Sequence, residues 1–203
     1  MIKIMDINAF TKNLMEVKSH ILFSGENFDD DGLLSEKIFG PEGSSDRQKT
    51  YAYIDLYCTV IHPVIYDILI KLQRNLKSLF STESYFKIES DGSLVPCEQD
   101  EEGAIIGITD FLNNFKKIKL RGETPTREKY IKFLNEMYDK KLLGIQRVIV
   151  IPPEFRPAYK DEDGLWMIDQ INDYYIDIIK KSTQVSKTNE KEELYNVLKL
   201  LER

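Results

Sequence analysis

Apolar residues follow two different periods in the last third of the chain, and these periods predict its elements. The β-branched run at residues 148–151 predicts a buried strand, which must end at Pro152 because proline has no backbone N–H donor. Residues 161–164 are typical of a turn. Beyond them, a 3-4-3 spacing predicts one face of a helix: Ile168, Ile171, Tyr175 and Ile178. A second helix from about Lys191 would complete an antiparallel hairpin through Leu194, Val197, Leu198 and Leu201.

The middle of the chain predicts helices around short strands. A helix of nearly five turns is expected to bury Ile65, Leu69, Leu72, Leu76 and Leu79. Residues 85–96 predict a β-hairpin with a two-residue turn at Asp91-Gly92, and residues 103–108 predict another strand. Thr109 can cap a helix that begins at Asp110.

Thr124-Pro125 predicts the start of a further helix, because proline suits the first helical position. The apolar face of that helix would be formed by Tyr130, Phe133, Leu134 and Met137. Together the patterns predict an α+β fold that is mostly helical, with short strands and hairpins and a projecting antiparallel helical hairpin. We expect three parts: a base at residues 1–147, a proline-stiffened loop at 148–164 and the helical hairpin at 165–203.

Composition limits the classes of function. The 203 residues are 42% hydrophobic and 31% charged, which is ordinary for a folded domain with a substantial core. The net charge of −6 argues against a free-standing nucleic-acid binder with a large basic surface. Cys58 and Cys97 fit neither a disulfide framework nor a zinc site, so we expect reduced thiols in a cytoplasm. No apolar run approaches the roughly 18 residues of a membrane span.

Residues that suggest catalysis have simpler interpretations. Asp29, Asp30 and Asp31 suggest a metal site, but adjacent side chains point in different directions, so a solvated turn ending at Gly32 is favoured. His62 lies in an apolar run, where a neutral imidazole that satisfies a hydrogen bond is favoured over a base or a ligand. The sequence contains no glycine-rich phosphate loop, nucleophile elbow or His–Cys arrangement.

Three blocks of sequence, taken together, resemble the largest subunit of multisubunit DNA-directed RNA polymerases, called β′ in bacteria. The first block is DGLLSEKIFGP at residues 31–41, and the second is YIDL followed by VIH at residues 53–62. The third is PPEFRP at residues 152–157, followed after a linker by IDQINDYY at residues 168–175, which contains Asn172, Asp173 and Tyr175. The resemblance covers most of the chain, although residues 80–145 match only in general character.

The chain departs from this family in three respects. No cysteine lies between Pro41 and Tyr53, where the family has a zinc ribbon, so zinc is not expected. The NADFDGD loop that holds the catalytic magnesium in the family does not occur, so we expect magnesium only in a partner catalytic subunit. Ile176 and Asp177 replace two arginines of the bacterial pattern, so a divergent specificity factor is expected in place of an ordinary σ factor.

The resemblance implies a role for each motif. Residues 148–164 would form the lid, at the upstream end of the RNA–DNA hybrid, and its predicted nucleic-acid contacts are Pro152, Pro153, Phe155, Arg156 and Pro157. Phe155 would stack on a base and Arg156 would pair with a phosphate, although Arg156 paired with a nearby carboxylate is an open alternative. Residues 165–203 would be the clamp helices. The predicted factor-docking residues are Asp169, Gln170, Asn172, Asp173, Asp177, Lys180 and Lys181. The alternative is that these residues form only a solvated face of the helix.

The resulting hypothesis is the N-terminal clamp and lid part of a β′-like subunit, which is a non-catalytic part of the polymerase. Its expected partners are the C-terminal part of β′, a β-like subunit, a promoter-specificity factor, and DNA and nascent RNA, with no membrane. The features fit the split subunits of large tailed phages, and a truncated β′ chain fits them equally. The alternative hypothesis is a free-standing interaction protein that captures an initiation factor.

Overall fold

The structure is a computed structural model that describes residues 4–187. It has an α+β fold, as the sequence predicts, and it divides into two compact units. Among the described residues, unit 1 contains residues 4–58 and 146–187, and unit 2 contains residues 59–145. The boundaries differ from the three predicted parts, because the first 58 residues are grouped with the proline loop and the helix that follows it.

Unit 1 is built from short strands and three helices. Its strands are β1 (Met15–Glu16), β2 (Phe23–Ser24), β3 (Asn27–Phe28), β4 (Ala52–Ile61), β7 (Gly144–Val150), β8 (Ala158–Lys160) and β9 (Trp166–Ile168), of which β4 and β7 extend into unit 2. Its helices are α1 (Ile7–Phe10), α2 (Glu36–Phe39) and α7 (Gln170–Lys187). The order β1-β4-β7 forms a three-stranded sheet in which β1 and β4 are parallel, whereas β2–β3 and β8–β9 are antiparallel pairs.

The core of unit 1 joins segments that are far apart in sequence. It contains Leu33, Leu34, Ile38 and Phe39 around α2, Ala52 and Ile54 of β4, Val150 of β7, and Tyr175 and Ile179 of α7. Strand β7 ends at Val150 and Pro152 follows, as the proline pattern predicts. Two glycines of the first motif are required by geometry. A Cβ at Gly32 would lie 2.4 Å from the carbonyl oxygen of Ile21, and Gly40 has a φ of +91°.

Helix α7 has a different buried face from the one predicted. Ile168 lies in β9, and Ile171 is exposed. The buried positions are Asn172, Tyr175, Ile179, Ser182 and Val185. Tyr175 is buried as predicted, and Ile168 and Ile178 pack against the core, but the prediction was wrong at Ile171, because the polar Asn172 is buried in its place. The predicted second helix, with Leu194, Val197, Leu198 and Leu201, lies outside the described residues.

Unit 2 packs four helices with one hairpin. The helices are α3 (Pro63–Leu72), α4 (Leu76–Phe80), α5 (Gly107–Asn114) and α6 (Pro125–Asp139), and the hairpin is β5 (Tyr85–Ile88) with β6 (Leu94–Cys97). A chain of four aromatic rings runs through its core, and each ring contacts the next: Phe80, Phe111, Phe115 and Tyr138. The centroid distances lie between 4.9 and 5.7 Å. As predicted, α6 begins at Pro125; the side chain of Thr124 also caps it by accepting a hydrogen bond from the backbone N–H of Arg127.

Three predictions in unit 2 were wrong in detail. The predicted long helix is two helices, because residues 73–75 separate α3 from α4, although all five predicted apolar residues are buried. The predicted strand at 103–108 is a single bridge from Ile105 to Phe86, and α5 begins at Gly107, before Thr109. The hairpin turn contains three residues, because Glu89 pairs with Ser93 and Gly92 has a φ of +84°.

Candidate functional site

Arg156 lies in the interior of unit 1 and binds three segments of it. Its side chain is fully buried. Nε donates to the carbonyl oxygen of Ile151 at 2.8 Å, Nη1 donates to Oδ1 of Asn172 at 2.8 Å, and Nη2 donates to the carbonyl oxygen of Leu33 at 2.6 Å. Because charge-assisted hydrogen bonds are short and strong, the guanidinium joins the proline loop, α7 and the first motif.

Asn172 and Tyr175 complete this network from α7. Nδ2 of Asn172 donates to the carbonyl oxygen of Arg156 at 3.0 Å, so the two residues bind each other in both directions. The hydroxyl of Tyr175 donates to the carbonyl oxygen of Ile149 at 3.0 Å and accepts from the backbone N–H of Ile151 at 3.4 Å. Helix α7 is therefore bonded to the end of β7 at the point where the prolines stop the strand.

Two aromatic rings enclose the guanidinium of Arg156. The carbon atom of the guanidinium lies 5.1 Å from the ring centroid of Phe39 and 5.7 Å from that of Tyr175. Burial, together with a smaller effect of the nearby charge of Arg47, lowers the pKa of Arg156 to about 10, although Tyr175 acts in the opposite direction. The group therefore stays protonated at neutral pH, and all of its recorded partners are neutral oxygens and rings. We call Leu33, Phe39, Arg156, Asn172 and Tyr175 the motif network.

A second buried arginine, which the sequence did not single out, holds the loop after α2. Arg47 donates through Nη1 to the carbonyl oxygen of Gly40 at 3.0 Å and through Nη2 to that of Leu34 at 2.9 Å. Its guanidinium lies 5.0 Å from the ring centroid of Phe28. Desolvation by burial lowers the pKa of Arg47. These bonds fix the short segment that stands where the resemblance would place a zinc ribbon.

The predicted contact residues of the proline loop separate into buried and exposed groups. Pro152, Pro153 and Arg156 are buried, whereas Phe155 is 61% exposed and Pro157 is exposed. The predicted pairing of Arg156 with a phosphate does not fit this structure, because its guanidinium is fully buried and bonded within unit 1. The alternative pairing with a carboxylate does not fit either, since its acceptors are two carbonyl oxygens and an amide oxygen.

The β8–β9 hairpin adds a second exposed apolar surface, at residues that were not predicted as contacts. Tyr159 and Met167 are cross-strand partners and are 58% and 47% exposed. On the opposite face, Trp166 stacks on Phe23 with a centroid distance of 4.5 Å, which anchors the hairpin to the β2–β3 pair. The signal for the hairpin was available in the Asp161-Glu162-Asp163-Gly164 turn between two short apolar runs.

The predicted factor-docking residues are mostly accessible. Gln170, Asp173, Asp177 and Lys180 are exposed, and Asp169 and Lys181 are partly buried. Asp169 also accepts a hydrogen bond from the backbone N–H of Ile171 at 2.9 Å, as a residue at a helix start does. Asn172 is a correction, because its fully buried side chain belongs to the motif network and offers no docking surface.

The other residues considered for chemistry have local structural contacts. Nδ1 of His62 accepts a hydrogen bond from the backbone N–H of Val64 at 3.3 Å and so caps α3. Cys58 and Cys97 are free, and burial raises the pKa of the Cys58 thiol to about 11. In residues 4–187 no three acidic, histidine or cysteine side chains are grouped as metal ligands. Within the same residues, no helix is both long and apolar enough to cross a bilayer.

No protein-family model matches this chain, and a comparison with curated proteins finds no match.

Proposed function

We propose that the chain is the N-terminal clamp and lid portion of a β′-like subunit and works within a multisubunit DNA-directed RNA polymerase. In its most specific form, the proposal is a separately encoded subunit of a large tailed phage that acts in the cytoplasm of the host. The catalytic magnesium would be held by a partner chain. This chain would contribute mechanical and docking surfaces to RNA synthesis.

The observation that supports the proposal most is the composition of the motif network. Leu33 and Phe39 come from the first resembling block, and Arg156, Asn172 and Tyr175 come from the last. The hydrogen bond from Arg156 to Leu33 joins residues that are 123 positions apart. Chance similarities in separate loops would have no reason to meet. Here residues from the first and the last resembling blocks meet in the core of unit 1.

Nucleic-acid contact is assigned to the exposed part of the loop region. Phe155, Tyr159 and Met167 present apolar and aromatic side chains on a proline-stiffened loop and an anchored hairpin. Aromatic rings on a rigid support suit stacking against unpaired bases. In this proposal Arg156 is a positioning residue, because it fixes the loop from inside and touches no nucleic acid.

Factor docking is assigned to the polar surface of α7. Asp173, Asp177 and Lys180 project to solvent from a helix whose opposite face is fixed by Asn172 and Tyr175. A rigid helix with an exposed charged face can recognise a partner with little ordering cost. The mixture of charges suits a specificity factor whose docking surface also contains both signs.

The test is affinity purification of the tagged full-length chain from its native source, followed by mass spectrometry of the recovered chains. We expect several polymerase-sized chains, including one with a magnesium-binding aspartate loop. Recovery of one small factor alone would overturn the subunit proposal in favour of the factor-capturing protein.

The matched variant in this experiment is Asp173→Lys with Asp177→Lys, which changes only exposed side chains of α7. We expect it to recover the polymerase chains but to lose the specificity factor, because the charges that face the factor are reversed. Glu98→Lys with Glu101→Lys is the control, since it reverses two exposed carboxylates in an unrelated loop. Equal factor recovery by both variants would contradict the assignment of α7.

A further inference from the structure

The break between α3 and α4 opens a cavity of about 390 Å³ in unit 2. Residues 73–75 separate the helices, and none of them is glycine or proline. Gln73 has an extended backbone, with a φ of −151° and a ψ of 101°. The cavity size lies within the range of about 300–1,000 Å³ that is common for ligand sites. A break that the local sequence does not require therefore coincides with a space that can hold a ligand.

Basic residues dominate the lining of this cavity, which consists of Lys71, Leu72, Gln73, Arg74, Asn75, Arg121 and Arg127. No acidic residue is among them. Arg127 already has a structural role, because it donates to the carbonyl oxygens of Arg121 and Leu72. The carbonyl oxygen of Leu72 has no partner within α3, because the helix ends there. Lys71, Arg74 and Arg121 are exposed, and among the described residues none of the three forms an ion pair.

Two buried acceptors in the same lining have no donor. Gln73 is 9% exposed, and within the described part of the chain no hydrogen bond reaches its Oε1 or the Oδ1 of Asn75. The Nδ2 of Asn75 donates to the carbonyl oxygen of Leu94, which leaves Oδ1 as the free end of that amide. Buried polar atoms without partners are rare and costly, so a donor that reached either oxygen would stabilise the site.

We propose that this cavity binds a phosphate ester that carries a neighbouring hydroxyl group, which is the chemistry of a ribonucleotide or of the RNA backbone. Lys71, Arg74 and Arg121 bind the phosphate, and the hydroxyl donates to Gln73 or Asn75. An ionised phosphodiester is only an acceptor, so it satisfies the cations but not the two amide oxygens. The 2′-hydroxyl can donate to one of these oxygens, and DNA lacks it.

This site is separate from the motif network, since all of its residues belong to unit 2. It does not depend on the polymerase proposal. The chain can bind RNA here even if affinity purification recovers no polymerase. Failure of the RNA-binding test and failure of the polymerase proposal are therefore distinguishable.

Fluorescence anisotropy with the full-length chain tests the site, using a labelled single-stranded RNA octamer and a DNA octamer of the same sequence. We expect RNA to bind about tenfold more tightly than DNA, the equivalent of one satisfied buried hydrogen bond. Unlabelled uridine monophosphate and inorganic phosphate are the competitors. If uridine monophosphate competes at concentrations where phosphate has no effect, a free ribonucleotide is sufficient for binding. If uridine monophosphate does not compete, the ligand is the RNA chain.

Two variants separate the parts of the site. Arg74→Gln with Arg121→Gln should weaken RNA and DNA binding alike by about tenfold or more and reduce the salt dependence of both. Gln73→Leu should bring RNA affinity toward that of DNA, and it removes an unsatisfied buried group, so the protein should remain folded. Lys129→Gln with Lys132→Gln is the control of equal charge, at exposed positions of α6 outside the cavity lining.

Three results would overturn the proposal. The first is no saturable binding of any probe by the unmodified chain. The second is an equal loss of affinity in the arginine variant and in the lysine control, which would indicate a general charge effect. The third is equal affinity for RNA and DNA, which would remove the assigned role of the two amide oxygens.

Discussion

Nη2 of Arg156 lies 2.6 Å from the carbonyl oxygen of Leu33, although the two residues are 123 positions apart in the sequence. Leu33 precedes α2, and Arg156 follows the prolines that end β7. The bond therefore connects the two separate segments of sequence that form unit 1. It makes the geometry of the proline loop depend on the first motif.

Replacement of Arg156 by methionine should destabilise the protein strongly. The change leaves three buried oxygens without a donor, on Leu33, Ile151 and Asn172, and each such loss costs about 1–3 kcal/mol. We expect the free energy of unfolding in urea to fall by about 3 kcal/mol or more. Arg74→Met, at an exposed position, should change it by less than about 0.5 kcal/mol. Equal effects of the two substitutions would contradict the structural role of Arg156.

Adjacent tyrosines on α7 provide a matched pair. Tyr175→Phe removes a hydroxyl that bonds Ile149 and Ile151 while the ring stays in place, so we expect a loss of about 1–2 kcal/mol in unfolding free energy. Tyr174→Phe removes a hydroxyl from a side chain that is 59% exposed, and should have almost no effect. Chemical denaturation of both variants measures the difference, and a larger loss in Tyr174→Phe would contradict the assignment.

The β8–β9 hairpin should lose its order when its anchor is removed. Trp166→Ala deletes the ring that stacks on Phe23 and contacts Phe28, whereas Met167→Ala changes the exposed face of the same strand. We expect amide hydrogen exchange of residues 158–168 to become faster in Trp166→Ala alone. Comparable exchange in the two variants would show that the stacking does not hold the hairpin.

Acid should weaken unit 2 through His62. Burial lowers the pKa of His62 below the ordinary value of 6.5, and its Nδ1 must be unprotonated to accept from Val64. The unfolded chain therefore takes up the proton first, and stability is lost as the pH falls below about 6.5. His62→Asn keeps a capping oxygen but does not titrate in this range, so it should show a smaller loss of melting temperature between pH 7.5 and 5.5.

His20→Asn is the control for this experiment, because His20 is exposed and is the other histidine of the chain. It should keep the acid sensitivity of the unmodified protein. If His20→Asn and His62→Asn reduce that sensitivity equally, the capping bond of His62 is not its source.

The sequence predicted those elements that depend on local rules. Pro152 follows the end of β7, α6 begins at Pro125, and the segment around Asp91-Gly92 forms a hairpin. Each signal acts through a few neighbouring residues, so it can be read without knowledge of the rest of the fold.

Other features depend on contacts that periodicity does not encode. Asn172 is buried because it bonds Arg156, so an apolar pattern along α7 could not include it. The break at Gln73 has no glycine or proline signal, and the carbonyl of Leu72 that it frees is bound by Arg127 from another helix. The resemblance implied that Arg156 pairs with a phosphate, whereas the structure buries it against a partner 123 residues away.

RNA synthesis by the purified assembly tests the proposed function most directly. This chain is first removed from the other chains of the purified assembly. Incorporation of labelled nucleotides on a promoter template is then measured for this chain alone, for the remaining chains and for the recombined mixture. The account predicts no incorporation by this chain alone, little promoter-directed synthesis by the remaining chains, and recovery when the chain is returned. Full promoter-directed synthesis without the chain would contradict it.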